Sequence, residues 1–216
     1  MMNYYQELLL LPQEEIPIHF LWSKVFQQIH LGLVEIQDDQ GRVPIGLSFP
    51  EYLDGEKRSE LGTKLRLFAI DEAMLKQFDT AKWLARLSDY VHSTSIRPVP
   101  EKIIGYAIYQ REQPKTNPER LARRYAKRHG VDFDTALNGL IDLKSTEKPL
   151  NADFKIQFRY CEMTKKNIAS PFIRLKSMSS EQTFCLWIKK IPADTKTSAT
   201  YFSSYGLSAV SSVPEF

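Results

Sequence analysis

Four histidines (His19, His30, His92, His129) and two cysteines (Cys161, Cys185) are the whole supply of imidazole and thiol in these 216 residues. None stands at metal-ligand spacing, and no CxxC pair occurs. With nine glycines there is no phosphate-cradling loop, and no paired carboxylates suggest acid–base work on a sugar. Chemistry in this chain would therefore draw on His, Ser, Tyr and Lys, with no cofactor and no metal. His30 is the candidate base. It follows Ile29 at the edge of the apolar stripe of a helix predicted over 18–35, which leaves its ring partly exposed. Imidazole is the side chain best suited to exchange a proton near neutral pH. Spacing alone also allows a boundary histidine that only packs. His129 reads as a helix cap or phosphate contact, His19 and His92 carry no signal, and Ser177–Ser180 reads as an ordinary hairpin tip.

The second chemical feature is charge. Between Arg111 and Arg128 there are seven cations against two acids, a local excess of five in a chain whose net charge is only +3. Asn117 suits a helix N-cap, Pro118 the first helical position, and Gly130 a left-handed C′ residue. At about 100° per residue, Arg120, Arg123, Arg124, Lys127 and Arg128 fall within an arc of about 140°, opposite Ala122 and Ala126. A solvated face normally interleaves both signs. This one has only Glu119, so it suits a polyanion such as nucleic acid.

The remaining composition sets limits. A hydrophobic content of 43% supplies an ordinary core for one large domain or two small ones. The cysteines read as free thiols of a reducing compartment. Met1–Glu7 has no basic n-region and Leu8–Leu11 is too short to span a bilayer, so the expectation is a soluble cytoplasmic protein with no membrane partner.

The elements that must hold these residues follow from periodicity. Strands are expected at 4–11, 45–49, 64–69 and 91–96. Helices are expected at 18–35, with Leu21, Trp22, Val25, Phe26, Ile29 and Leu33 on one face, and from the Asp71 cap to Phe78, continuing at 83–87. In 64–69, Leu65, Leu67 and Ala69 alternate with Lys64, Arg66 and Phe68. The order β-α-β-β-α-β is that of a ferredoxin-like unit, which also underlies many RNA-recognition domains. Arg97–Pro100 is read as a linker. The fold class is thus α+β: a ferredoxin-like domain over 1–97 and a C-terminal α+β domain over 98–216. The second would hold a strand at 103–109, the basic helix, a short helix at 135–141, strands at 154–160 and 200–205, and a hairpin of 172–176 with 184–189.

Several separated stretches, in order, then resemble the CRISPR repeat-processing endoribonuclease family of type I-F systems. They are Lys24–His30, Ile45–Pro50, Arg111–Arg120 with Leu121–His129, Pro171–Ser177 with Gln182–Phe184, and Ser204–Ser208. The resemblance implies that His30 takes a proton from a ribose 2′-OH, that Ser177 holds that ribose and that Tyr205 orients His30. It implies that Arg111 and Gln113 read base edges of a repeat hairpin and that Phe184 stacks beside the cut. Lys115, Arg120, Arg123, Arg124, Lys127 and Arg128 would complete the RNA surface. Partners would be RNA and other subunits of the crRNA-guided effector complex, with the enzyme staying on its product. The chain departs from the family at Ala122 and Lys127, where arginines are frequent.

Two other classes compete with a nuclease. A binding subunit that holds a crRNA stem-loop with weak or no cleavage would not need His30, Ser177 and Tyr205 together. An unrelated RNA-recognition protein would be expected to carry paired aromatics on 45–49 and 64–69, and these strands lack them.

Overall fold

The computed structural model describes residues 2–55, 58–113, 117–143, 156–162, 169–177 and 180–216. By closeness of chain segments it divides into two units, Met1–Glu112 with Ala169–Phe216, and Gln113–Ile168.

The first unit begins with β1 (Tyr4–Leu10), whose inward Leu8 and Leu10 are buried, and α1 (Ile18–Glu35). The predicted stripe of α1 is buried throughout: Val25, Phe26, Ile29 and Leu33 have no exposed surface. Then come β2 (Arg42–Val43), β3 (Gly46–Ser48), β4 (Lys64–Ala69), α2 (Glu72–Phe78), α3 (Thr80–Leu84), β5 (Val91–Ser93) and β6 (Arg97–Pro98). Asp71 caps α2 by accepting from the Met74 N–H at 2.9 Å. These strands form an antiparallel sheet in the order β3-β4-β1-β5, with β6 also on β1.

Later in the same unit β7 (Gly105–Glu112), β10 (Phe172–Lys176), β11 (Thr183–Ala193) and β13 (Val213–Glu215) build a second antiparallel sheet, ordered β10-β11-β7-β13. A third pairing joins β12 (Phe202–Ser203) to β2, matching Phe202 with Val43. One core runs beneath both larger sheets. Phe49, at the end of β3, shows how: its ring centroid lies 5.5 Å from that of Trp22 on α1 and 5.5 Å from that of Tyr109 on β7. The change from first to second sheet falls between Pro98 and Gly105, and both sheets belong to one unit.

Several local expectations change. Within the stretch read as a linker, Arg97–Pro98 forms a short strand that pairs with Tyr5 and Tyr4, and Val99 N–H donates to Asn3 at 2.7 Å. Phe68 does not face solvent: it is buried against Tyr5 and Phe216, so β4 is covered on both faces. β5 stops at Ser93, β12 spans two residues rather than six, and β13 was not foreseen. A three-residue strand with an interior proline, as in Val213–Glu215, leaves almost no periodic signal.

The second unit holds α4 (Pro118–His129), α5 (Phe133–Asn138) and the pair β8 (Ile141–Leu143) with β9 (Ile156–Phe158). Its caps are those the residue types predict. Asn117 accepts from Arg120 N–H at 2.9 Å, Gly130 takes φ +66°, and Asp132 accepts from Thr135 N–H at 2.8 Å. α5 lies earlier than 135–141 because Asp132 starts it.

Candidate functional site

His30 lies on α1 four residues past Phe26 and just after fully buried Ile29, so the helix anchors it while its own ring is half-buried. Its Nδ1 is 2.7 Å from the carbonyl oxygen of Ser204. A carbonyl can only accept, so Nδ1 carries the hydrogen and the neutral ring keeps its lone pair on Nε2. That is the tautomer a general base needs, and a backbone atom 174 residues away selects it. The Tyr205 ring lies parallel to the imidazole, with centroids 4.3 Å apart and planes 7° off parallel.

The segment carrying Ser204 and Tyr205 is a tight turn beyond β12. Gly206 N–H donates to Ser203 O at 2.7 Å, Ser203 N–H donates to Leu207 O at 2.8 Å, and the Ser203 hydroxyl donates to the same oxygen. Gly206 takes φ +66° and its carbonyl accepts from Leu47 N–H at 2.9 Å, which docks the turn on β3. At Gly46 a Cβ would meet the Phe202 ring at 2.4 Å, so β3 can approach β12 only as glycine. The two glycine-bearing motifs, Ile45–Phe49 and Ser204–Ser208, are thus halves of one contact that sets His30.

Ser177 ends β10. Its N–H donates to Gln182 O at 2.9 Å, closing the hairpin, and its hydroxyl oxygen accepts from Ser180 N–H at 3.3 Å. α1 packs on β10, and Gln27, one turn before His30, donates to the Lys176 carbonyl at 3.4 Å. The hairpin end is thereby tied to the helix that carries the histidine, through a residue that sequence reading passed over. An amide at a partly exposed helix position offers no signal by itself.

Arg111 lies within β7, which runs through Glu112, rather than in the irregular segment after it. It pairs in register with Ile188, and its guanidinium carbon is 5.6 Å from the ring centroids of both Phe184 and Tyr205. Two residues earlier on the same strand face, buried Tyr109 fixes β7. Its hydroxyl lies 3.2 Å from Phe49 O and 2.9 Å from Glu215 Oε1, and Lys190 pairs with the same carboxylate. Burial first, then the Glu215 charge, pushes the Tyr109 phenol far above its ordinary range, so it stays a donor. Phe184 is half-buried opposite Leu175. Gln113 is exposed immediately after β7, and Lys115 lies outside the described residues.

In the second unit, Arg120, Arg123, Arg124, Lys127 and Arg128 are all exposed on α4, while Ala122 is fully buried. Arg123 pairs with Glu119 at 3.5 Å and covers the Phe133 ring at 5.4 Å. His129 stacks on Tyr125 at 4.1 Å, and Tyr160 meets Tyr125 edge-on. That packing accounts for His129 without a catalytic role. His19 and His92 are exposed. Among the described residues no three His, Cys, Asp or Glu side chains gather as a metal site, and no helix is long and apolar enough to cross a membrane.

Comparison with known proteins bears on this arrangement. Residues 5–216 match the family described as CRISPR-associated protein (Cas_Csy4). A relative from Pseudomonas aeruginosa (strain UCBPP-PA14), named CRISPR-associated endonuclease Cas6/Csy4, is 33% identical over 215 residues and 100% of each chain. A relative of the same name from Escherichia coli (strain UTI89 / UPEC) is 30% identical over 215 residues, again 100% of each chain. A solved structure named CRISPR associated protein Cas6 covers 100% of this chain and 99% of its own at TM-score 0.30 and 11% identity, too slight a likeness to bear on the fold. The match spans the first strand, the His30 helix, the basic helix, the hairpin and the Tyr205 turn: this chain belongs to the Csy4 family of CRISPR-associated proteins.

Proposed function

We propose that this protein is an endoribonuclease that cuts CRISPR repeat stem-loops in precursor crRNA without a metal ion. His30 Nε2 takes the proton from a ribose 2′-OH. The 2′-oxygen attacks the adjacent phosphorus, and the bond from phosphorus to the 5′-oxygen breaks. A 2′,3′-cyclic phosphate remains on one fragment, and the departing 5′-oxygen picks up a proton to become a 5′-OH. The observation that carries this reading is the hydrogen bond from His30 Nδ1–H to the Ser204 carbonyl, which leaves the base on the other nitrogen. Attack by a neighbouring hydroxyl needs only a base, in-line alignment and nearby cations, so it suits this inventory.

In this reading Tyr205 orients His30, Ser177 holds the attacking ribose, and Phe184 stacks on the nucleotide beside the cut. Arg111 and Gln113 read base edges, where an arginine fork matches guanine. Arg120, Arg123, Arg124, Lys127 and Arg128, with Lys115, hold the stem. The relatives' shared name, an endonuclease, supports cleavage over a stem-loop-binding subunit that does not cut.

The enzyme then stays on the 3′ hairpin as a cytoplasmic subunit of the type I-F effector complex. The division into 1–97 and 98–216 and the ferredoxin-like reading of the first part belong to the same proposal. The latter is supported by the sheet order β3-β4-β1-β5 with α1 and α2 as its crossovers.

Incubating the protein with repeat hairpins in EDTA tests the whole. Cleavage to a cyclic phosphate, absent when the scissile nucleotide is 2′-deoxy, is expected. A requirement for Mg²⁺, or cleavage of the deoxy substrate, would overturn it.

A further inference from the structure

His30, Tyr205, Arg111 and Phe184 form one continuous stack across four chain segments: α1, the turn after β12, β7 and β11. Tyr205 has the imidazole parallel to it at 4.3 Å and the Arg111 guanidinium 5.6 Å from its centroid; Phe184 is 5.6 Å from that guanidinium in turn. Among the described residues no carboxylate forms an ion pair with Arg111, and the neighbouring Glu112 is occupied by the Ser170 hydroxyl at 2.6 Å. A cationic fork in a protein is ordinarily met by a carboxylate. This one is met by two aromatic rings.

From this we infer that Arg111 is a positioning residue for His30, acting through Tyr205, and that it makes reading of the RNA base a condition for cleavage. The inference rests on the endoribonuclease reading above. A guanidinium uses different parts of itself for the two tasks: its faces contact rings, while its edge N–H groups donate in the plane. Arg111 can therefore hold Tyr205 flat on the imidazole and present its edge to a guanine at the same time. A base that cannot accept two hydrogen bonds draws the fork out of that plane or leaves its donors unpaired. The Tyr205 ring then loses the contact with Arg111 that supports it. The Ser204 hydrogen bond keeps the tautomer, but the imidazole loses the ring that fixes its tilt. Discrimination appears in the cleavage step, beyond any effect on affinity.

Arg111→Ala and Arg111→Lys, the second keeping charge but not the planar face, separate this from simple binding. Under single-turnover conditions in EDTA, with protein in saturating excess over hairpin, both variants are expected to cleave about tenfold or more slowly than the unsubstituted protein. Combining Arg111→Ala with Tyr205→Ala should slow cleavage no further than Tyr205→Ala alone, as for two residues acting through one contact. In the free protein, the His30 ring protons, shifted upfield by the Tyr205 ring, should move in Arg111→Ala toward their positions in Tyr205→Ala. Wild-type cleavage rates at saturation, multiplicative losses in the double variant, full rate in Arg111→Lys, or unmoved His30 resonances would each overturn the proposal. If the unsubstituted protein cleaves no hairpin, the endoribonuclease reading falls; the His30 resonances, which need no RNA, still report whether Arg111 holds the stack.

Discussion

Gly206 and Leu47 are in contact through both backbone and van der Waals surface: the Leu47 N–H donates to the Gly206 carbonyl at 2.9 Å, and a Cβ on Gly206 would lie 2.3 Å from Leu47 Cγ. Gly206 also takes φ +66°, a region costly for residues with a Cβ. Gly206→Ala should thus destabilise the protein by about 2 kcal/mol or more, from overpacking and backbone strain together. Because Tyr205 and Ser204 are its neighbours, cleavage should fall further than stability alone explains. Urea unfolding beside cleavage rates at a temperature where the variant is folded checks both. An unfolding midpoint equal to that of the unsubstituted protein would show that the turn does not depend on glycine.

Removing the base should separate cutting from holding. His30→Ala is expected to abolish cleavage of the cognate hairpin, a loss on the order of a thousandfold or more for a general base combined with lost alignment, while affinity stays nearly intact. A 2′-deoxy nucleotide at the cut should behave likewise. Filter binding beside a cleavage time course gives the comparison, and a variant that still cuts refutes the role of His30.

Charge on α4 should act on binding alone. Arg124 is exposed, and among the described residues it has no carboxylate partner, whereas Arg123 is paired with Glu119. Arg124→Ala should weaken hairpin binding and lower the slope of log affinity against log salt by about one unit, as the loss of one phosphate contact would. Arg123→Ala should do less, since Arg123 is already engaged by Glu119 and the Phe133 ring. Equal slopes for all three proteins would remove Arg124 from the RNA surface.

Acid should loosen the first unit through Glu51. The Thr63 backbone N–H, 2.7 Å from its carboxylate, holds the Glu51 carboxyl below its ordinary range, helped by the Thr63 hydroxyl at 2.9 Å and Lys64 at 3.2 Å. The folded state thus binds this proton less readily than the unfolded chain. Its contribution is present above the ordinary carboxylate range and is lost as pH falls through the lowered folded value. Glu51→Gln should lower stability near neutrality and leave a smaller loss between neutral pH and about pH 3 than the unsubstituted protein shows. Urea midpoints at the two pH values decide it. An unchanged acid sensitivity would place the effect elsewhere.

Local chemistry was legible residue by residue. Asn117, Pro118 and Gly130 bounded α4 because capping is a property of a few neighbouring residues. The 3.6-residue period of Leu21, Trp22, Val25, Phe26, Ile29 and Leu33 placed α1 and left His30 at the margin of its buried face. Alternation around Ile173, Leu175, Leu186 and Ile188 located the hairpin. What local pattern missed shares a cause. Phe68 is covered by Phe216, the strand at Arg97–Pro98 forms by pairing with residues near the N-terminus, and β13 exists because β7 offers it an edge. Each is decided by a partner far along the chain, which local periodicity does not register.

The sequence by itself determined the reagents: an imidazole at the rim of a helix, a stripe of five cations, a serine at a hairpin end and a tyrosine before a glycine. Only the tertiary structure decided how they act. The hydrogen on Nδ1 is set by the Ser204 carbonyl, a backbone atom whose identity no residue type reveals. The flat contact of Tyr205 on His30, and the approach of Arg111 to Tyr205, depend on a turn that Leu47 anchors and on a strand that Tyr109 fixes. Proton placement and ring stacking respond to distances of a few ångströms between segments far apart in the chain, and those distances arise only when the core closes.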